Sequence, residues 1–188
     1  MYGMDYYWNM DAAHNYSAYN SPLVVDPSLY PGHGPAPSHL QSYETIGPVL
    51  FVEAGFSPNI IGMLLPFEAK KMIGVTGIGQ SWSGDQFKAY YEMLDVIAGG
   101  ETPQWDEVGQ VPYFTCGGDF YSYDNEKSIA AKVAWAQENN IKGIGVWDIA
   151  RGYLTDAQKT QFAPYISDPT LAGLNNPLEE ALKHAQGK

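Results

Sequence analysis

Three short runs of apolar residues have the length and continuity of strands that are buried on both faces. These predicted strands occupy residues 1–8, 59–67 and 142–149. Apolar positions at helical spacing follow the second run, precede the third, and recur near the end of the chain. The predicted helices are residues 85–98, closed by Gly99, residues 125–140, capped by Asp124 or Asn125, and residues 177–186.

The segments between these elements lack a sustained period. Residues 9–39 are rich in Asn, Ser, Pro, Gly and Tyr, which predicts a long, ordered surface loop. Residues 40–55 carry a rough helical stripe, which we expect Pro48 to break. An excursion at about residues 74–124 begins with a glycine-rich stretch and ends in a hairpin that turns at Gly117–Gly118.

Apolar strands that alternate with helices indicate an α/β fold with parallel strands. A (β/α)8 barrel has eight strands and typically about 250 residues, whereas three units are visible in these 188 residues. The pattern therefore predicts either a small open sheet or the last part of a barrel.

Composition narrows the classes of ligand. Acidic residues outnumber basic ones 21 to 10, for a formal net charge of −11. This charge repels phosphates and anionic lipids, so we expect neither nucleic acid nor a membrane surface as a partner. No apolar stretch approaches the roughly 20 residues of a membrane span, and the N-terminus lacks a signal-peptide pattern. The 14 tyrosines suit a neutral ligand such as carbohydrate, although a large aromatic core would give the same count.

Metal, cofactor and thiol chemistry are not expected. The chain has a single cysteine, Cys116, with no evident base beside it, so we expect no nucleophilic role for it. His14, His33 and His39 share one predicted loop, but their spacing matches no standard metal site. The glycine-rich stretch lacks the Gly-Lys-Ser/Thr ending of a phosphate-binding loop.

The residues that follow parallel strands are the strongest candidates for a site, because such folds bind ligands at the carboxyl ends of their strands. The candidates are Met4, Asp5, Tyr6, Tyr7 and Trp8 after the first strand, Glu68 and Lys70 after the second, and Trp147 and Asp148 at the third. An indole stacks on a sugar face, and carboxylates and phenols bind hydroxyl or amide groups. The alternative is that Trp147 fills the core and Asp148 caps the next helix.

Residues 127–149 closely resemble the last helix–strand unit of glycoside hydrolase family 18, the chitinases and their relatives. The family pattern YD-x-x-x-SI-x-x-K, followed by G-x-x-x-W, is matched by Tyr123, Asp124, Ser128, Ile129, Lys132, Gly143 and Trp147. Residues 62–70 resemble the family strand G-(I/L)-P-F-Y-G-R. Pro66 and Phe67 match there, while Glu68, Ala69 and Lys70 replace Tyr, Gly and Arg. Residues 1–11 resemble its sixth strand, M-x-Y-D.

This resemblance implies the C-terminal portion of a (β/α)8 TIM barrel, with strands six to eight and a short insertion between the last two. Residues 1–188 would then form one partial domain. Trp147 would form the floor of the −1 sugar subsite, and Asp5 would hold the acetamido group with a hydroxyl from Tyr6 or Tyr7. A second register places Tyr6 on the family's tyrosine and Tyr7 on its Asp, and we prefer the first because Asp11 then also matches an acidic position.

The family mechanism is substrate-assisted retention, in which a Glu of a D-x-x-D-x-D-x-E motif protonates the glycosidic oxygen. These residues contain no such motif, so we expect no hydrolysis by this polypeptide alone. The resemblance implies a secreted, chitinase-like protein, with chitin or chito-oligosaccharide and the missing N-terminal barrel half as partners. The alternatives are a chitinase-like lectin and a structural module in which Trp147 is only core.

Overall fold

The structure is a computed structural model, and it describes residues 17–23, 48 and 51–188. In chain order its main elements are β1 (Gly62–Pro66), β2 (Glu68–Ile73), β3 (Gly84–Ala89), α1 (Tyr90–Ala98), β4 (Gln104–Asp106), β5 (Val111–Cys116), β6 (Asp119–Ser122), α2 (Glu126–Glu138), β7 (Gly143–Trp147), α3 (Asp156–Phe162) and α4 (Pro177–Ala185). The predicted strand at residues 1–8 lies outside the described residues.

Strands β1 and β7 pair in parallel, from Gly62 opposite Gly143 to Pro66 opposite Trp147. The two apolar runs in the middle and late parts of the chain are therefore confirmed as strands, and their parallel pairing is confirmed as well. Met63 and Leu65 on β1 are buried in the core. They share that core with the apolar faces of helices α2 and α4, through Ile129, Val133, Leu178, Ala181 and Leu182.

The excursion between β1 and β7 forms a five-stranded antiparallel sheet in the order β3-β2-β6-β5-β4. Its first strand begins at Glu68, directly after β1, rather than near residue 74. The predicted hairpin is confirmed, because β5 and β6 pair across a turn at Gly117 and Gly118. Both glycines have positive φ angles, which a residue without a Cβ adopts at little cost.

Three expectations about helices need correction. Residues 84–89 form strand β3, although the apolar spacing predicts a helix from residue 85. All six residues of β3 pair with β2, and helix α1 begins only at Tyr90, where Glu92 accepts a hydrogen bond from the backbone of Ala89. Helix α3 lies between β7 and α4, where the apolar pattern predicts no helix, with Thr155 and Gln158 forming a capping box at its start. Pro48 is itself helical, so it does not exclude helical structure at its position.

Residues 17–23 are buried throughout, which contradicts a surface loop in this part of the chain. Ser17 donates its N–H to the carbonyl of Gln80 at 2.8 Å and accepts from the N–H of Gly79 at 2.9 Å. Asn20 bridges two strands: its N–H donates to the Ser122 hydroxyl, and its Nδ2 donates to the Glu68 carbonyl, both at 2.8 Å. Backbone without regular structure is tolerated here because the antiparallel sheet supplies its hydrogen-bond partners.

The motif that carries the family resemblance forms a buried ion pair. Lys132 on α2 donates to both carboxylate oxygens of Asp124, at 2.8 and 2.6 Å, and both side chains have no exposed surface. The Ser128 hydroxyl also donates to Asp124. Burial raises the pKa of Asp124, while Lys132 and Ser128 act in the opposite direction. The pair ties the end of β6 to α2.

Replacing Lys132 with Met is expected to destabilise the fold by about 3–5 kcal/mol, because Asp124 is left as an unpaired buried charge. Urea unfolding followed by circular dichroism measures this, with the exposed Lys142→Met as the matched control. The double variant Asp124→Leu/Lys132→Met removes both charges and should recover most of the loss. Equal effects for Lys132→Met and Lys142→Met would contradict this account.

A second network, centred on the buried Tyr90 and Glu126, joins α1 of the excursion to α2 and to the segment after α3. The Tyr90 hydroxyl on α1 donates to Oε1 of Glu126 at 2.7 Å, and the N–H of Ser167 donates to Oε2 at 3.0 Å. The Ser167 hydroxyl donates to the same oxygen. Burial and the nearby Glu126 carboxylate raise the pKa of Tyr90 well above its ordinary value.

This network predicts a loss of stability at alkaline pH. The folded-state pKa of Tyr90 lies above the unfolded value near 10, so its contribution is complete below about pH 10 and is lost as pH rises. Tyr90→Phe should cost about 1–3 kcal/mol near neutral pH and should weaken this alkaline decline. Urea unfolding between about pH 8 and about pH 11 measures both effects. The exposed Tyr165→Phe is the control, and an unchanged alkaline slope in Tyr90→Phe would refute the assignment.

Candidate functional site

The carboxyl ends of β1 and β7 lie side by side and form the centre of the candidate site. Pro66 at the end of β1 is opposite Trp147 at the end of β7. The N–H of Phe67 donates to the Trp147 carbonyl at 2.9 Å, which extends the pairing one residue beyond β1. The last residues of both strands are therefore held in a fixed register.

Trp147 has 49% of its surface exposed, so it does not fill the core. Along β7, the exposed Gly143 and Gly145 alternate with the half-buried Ile144 and Val146, and Trp147 continues the exposed positions. Side chains two residues apart on a strand share a face, so Gly143 and Gly145 add no side chain to the face that carries the indole. Trp147 thus offers an apolar surface at the carboxyl end of the parallel sheet.

Asp148 caps the turn that follows β7, as one of the two sequence-based alternatives predicts. Its Oδ1 accepts a hydrogen bond from the backbone N–H of Arg151 at 3.1 Å, at the start of a single 3₁₀ turn over Ile149–Gly152. The Arg151 Nε lies 3.9 Å from Oδ2 of Asp148, a partly exposed ion pair that contributes little to stability. The peptide bond between Trp147 and Asp148 is cis.

A tightly packed junction lies beneath this turn. Gly152 is buried, and a Cβ built on it would lie 2.5 Å from Oδ1 of Asn176 and 3.0 Å from Cδ2 of Phe67. No other residue type fits without displacing one of these two side chains. The junction therefore brings together Phe67 after β1, the turn after Trp147, and Asn176, which caps the N-terminus of α4.

Glu68 and Lys70 lie on β2, at the start of the antiparallel sheet. Each is only 6% exposed, which rules out a plain surface ion pair between them. Lys70 pairs with Asp85 on β3, with 3.2 Å between Nζ and Oδ2, and its Nζ lies 5.5 Å from the centre of the Phe87 ring. The backbone carbonyl of Glu68 accepts from Asn20, so the buried segment at residues 17–23 reaches the edge of the site.

The candidates Met4, Asp5, Tyr6, Tyr7 and Trp8 lie outside the described residues, as do His14, His33 and His39. Their roles, and the meeting of Asp5 with Trp147, remain predictions. Cys116 is half-buried, and the carboxylate of Glu101 raises the pKa of its thiol, which disfavours a thiolate nucleophile.

Residues 17–23, 48 and 51–188 contain neither a cluster of metal ligands nor a membrane-spanning helix. No three His, Cys, Asp or Glu side chains come together there as metal ligands would. Likewise, no helix in those ranges is long and apolar enough to cross a bilayer.

Sequence reasoning missed two asparagines that support the site, Asn20 and Asn176. The signal for Asn176 was present, since Asn followed by Pro177 at a helix start is typical of an N-cap. For Asn20 no local signal exists, because its partners Glu68 and Ser122 lie far away in the sequence.

The sequence profile of glycosyl hydrolases family 18 matches residues 1–152. The chain belongs to this family. A probable endochitinase of Caenorhabditis elegans is 39% identical over 61 residues, which are 32% of this chain and 10% of that protein. Chitinase-3-like protein 2 of Homo sapiens is 30% identical over 101 residues, which are 54% of this chain and 23% of that protein. The family 18 chain thus aligns with only part of these relatives.

Solved structures of the family share its fold. Human YKL-39, described as a pseudo-chitinase that retains chitooligosaccharide binding, superposes with a TM-score of 0.75 at 21% identity. The superposition covers 100% of this chain and 50% of that one. The immunomodulatory active chitinase TsES1 of Trichuris suis gives 0.75 at 20% identity, over 98% of this chain and 49% of that one. These relatives are (β/α)8 barrels, so the predicted α/β barrel class is confirmed.

Substituting Gly152 with Ala is expected to destabilise the protein by about 1–3 kcal/mol, because the methyl group overlaps Asn176 and Phe67. The matched control is Gly143→Ala on β7, whose added Cβ meets its nearest atom, the Cα of Gly62, at an ordinary 3.7 Å. Thermal unfolding of the two variants checks this. Equal stability of the two variants would show that the junction is looser than described.

Proposed function

We propose that this chain is part of a family 18 chitinase-like domain that binds β-1,4-linked N-acetylglucosamine oligomers. The observation that carries the proposal is the half-exposed Trp147 at the carboxyl end of β7, beside the end of β1. Parallel α/β folds bind ligands at this end of the sheet. An exposed indole there suits the apolar face of a pyranose ring.

The net charge of −11 favours the same class of ligand. A strongly acidic protein repels phosphorylated or anionic polymers, while a neutral acetylated sugar experiences no such repulsion. Related solved structures include complexes with chitooligosaccharides, among them one of YKL-39 with four N-acetylglucosamine units. Chito-oligosaccharide is therefore the probe with which to test this chain.

Within this proposal, Trp147 forms the floor of the −1 subsite. Asp5 orients the acetamido group with Tyr6 or Tyr7, and Met4 and Trp8 line the same subsite. Glu68 contributes to an outer part of the site from the start of β2. Oriented groups of this kind act by positioning the nucleophile and stabilising developing charge.

The proposed chemistry of the complete site is substrate-assisted retention, in which the substrate's own acetamido carbonyl attacks the anomeric carbon. These 188 residues contain no D-x-x-D-x-D-x-E motif to supply the general acid. General-acid catalysis is typically worth about 100- to 10,000-fold. The chain alone should therefore bind without cleaving, and hydrolysis requires the strands of an N-terminal barrel half. An extracellular location is part of the same proposal.

A second candidate is a chitinase-like lectin, which binds the same oligomers without hydrolysis. The likeness to a pseudo-chitinase that retains chitooligosaccharide binding favours it. The coding sequence upstream of Met1 separates the two. An intact acid motif there supports the enzyme, and a replaced glutamate supports the lectin.

Trp147→Ala is expected to weaken binding of the N-acetylglucosamine tetramer by at least about tenfold, or about 1.4 kcal/mol, because the sugar loses its apolar platform. Isothermal titration calorimetry measures the affinity, in the 188-residue chain and in a chain extended by the upstream strands. Trp105→Ala, a half-buried tryptophan on β4, is the matched control.

A glucose tetramer without acetamido groups serves as the ligand control and should not bind. If the N-acetylglucosamine tetramer binds neither chain, the proposed function is wrong. Binding that Trp147→Ala leaves unchanged would place the site elsewhere in the molecule.

A further inference from the structure

Asn176 connects the terminal helix to the turn that follows Trp147. Its Nδ2 donates to the Ile149 carbonyl at 2.9 Å, and its Oδ1 accepts from the N–H of Glu179 at 3.1 Å. The side chain is largely buried. One amide group thus caps α4 and holds the second residue after Trp147.

The backbone around Trp147 is held from two sides. On the β1 side, the N–H of Phe67 donates to the Trp147 carbonyl at 2.9 Å. On the other side, the turn from Asp148 to Gly152 is closed by Arg151 and bound to Asn176. Gly152 has no side chain, which allows Asn176 to approach, and Phe67 lies against the same glycine.

We propose that Asn176 is a positioning residue for Trp147: its amide holds the turn after β7, and through that turn it sets the orientation of the indole. Asn176 lies beyond residues 1–152, which match the family profile, so the family match does not account for it. The consequence for sugar binding rests on the proposed function, whereas the effect on the turn and the indole does not.

The chemistry of asparagine allows its two contacts to be separated. Aspartate caps helices about as well as asparagine, and a carboxylate is favoured at a helix N-terminus. Asn176→Asp therefore keeps the oxygen that caps α4 but loses the N–H donor to Ile149. It also places an acceptor opposite a carbonyl, so the turn is released while the helix stays capped.

The matched control is Asn125→Asp, the same substitution at the start of α2. Asn125 also caps its helix, with Oδ1 accepting from the N–H of Ser128 at 3.0 Å, and it lies away from the turn after β7. Any effect of a new carboxylate at a helix cap is present in this variant too. The difference between the two variants isolates the contact with Ile149.

The experiment uses the full chain labelled with 5-fluorotryptophan, with the Trp147 resonance assigned by Trp147→Phe. In Asn176→Asp, we expect the ¹⁹F resonance of Trp147 to shift or broaden, while the resonances of Trp105 and Trp135 stay in place. Hydrogen exchange of the amides in residues 149–152 should accelerate about fivefold. Affinity for the N-acetylglucosamine tetramer should fall about three- to tenfold.

Each outcome decides one question. If Asn176→Asp matches Asn125→Asp in both the Trp147 resonance and the exchange of residues 149–152, the positioning role is wrong. If the resonance and exchange change while the parent chain binds no tetramer, the positioning role stands and the proposed function fails. If Asn176→Asp does not fold, Asn176→Ser replaces it, since a hydroxyl still caps the helix but is too short to reach Ile149.

Discussion

The parallel pairing of β1 with β7 is the constraint on which the rest of the structure depends. Parallel neighbours cannot be joined by a tight turn, so the chain must leave the end of β1 and return to the start of β7. This chain does so through an antiparallel sheet and helix α2, which covers the pair. The register from Gly62–Gly143 to Pro66–Trp147 then fixes which side chains reach the carboxyl end of the sheet. The exposed indole is a direct consequence of that register.

A long excursion between paired strands adds conformational freedom, and two buried polar networks restrict it. Asp124 and Lys132 join the end of the excursion to α2, and Glu126 joins α1 to the segment after α3. Buried charges are costly unless they are paired, so these contacts form in only one arrangement of the elements. We therefore expect these networks to contribute mainly to the specificity of the fold, whereas the apolar core supplies most of the stability.

Elements whose signal is local were predictable from the sequence, and elements that depend on distant partners were not. The apolar runs of β1 and β7 and the capped helix α2 carry their own pattern, and all three were predicted. Residues 84–89 carry apolar spacing that suits the helix after them, yet pairing with β2 makes them a strand. Residues 17–23 carry no local pattern that predicts burial, because their hydrogen-bond partners come much later in the chain. At the site, the apolar pattern predicted that Trp147 lies at the end of a strand. It did not predict the contacts from Phe67 and Asn176 that hold the backbone around Trp147.

The distinction between local signals and distant partners also explains how the backbone around Trp147 is held in place. Trp147 ends a strand, and a strand end specifies position along the sheet but leaves the following backbone free to turn in several directions. That freedom is removed by groups from elsewhere in the chain: Phe67 after β1, and Asn176 at the start of α4. Gly152 is required because both side chains occupy the space where a Cβ would lie. Contacts to the backbone on both sides of Trp147 therefore fix the direction in which the indole leaves the strand. The terminal helix, which the sequence marks merely as amphipathic, thereby becomes part of what orients the site.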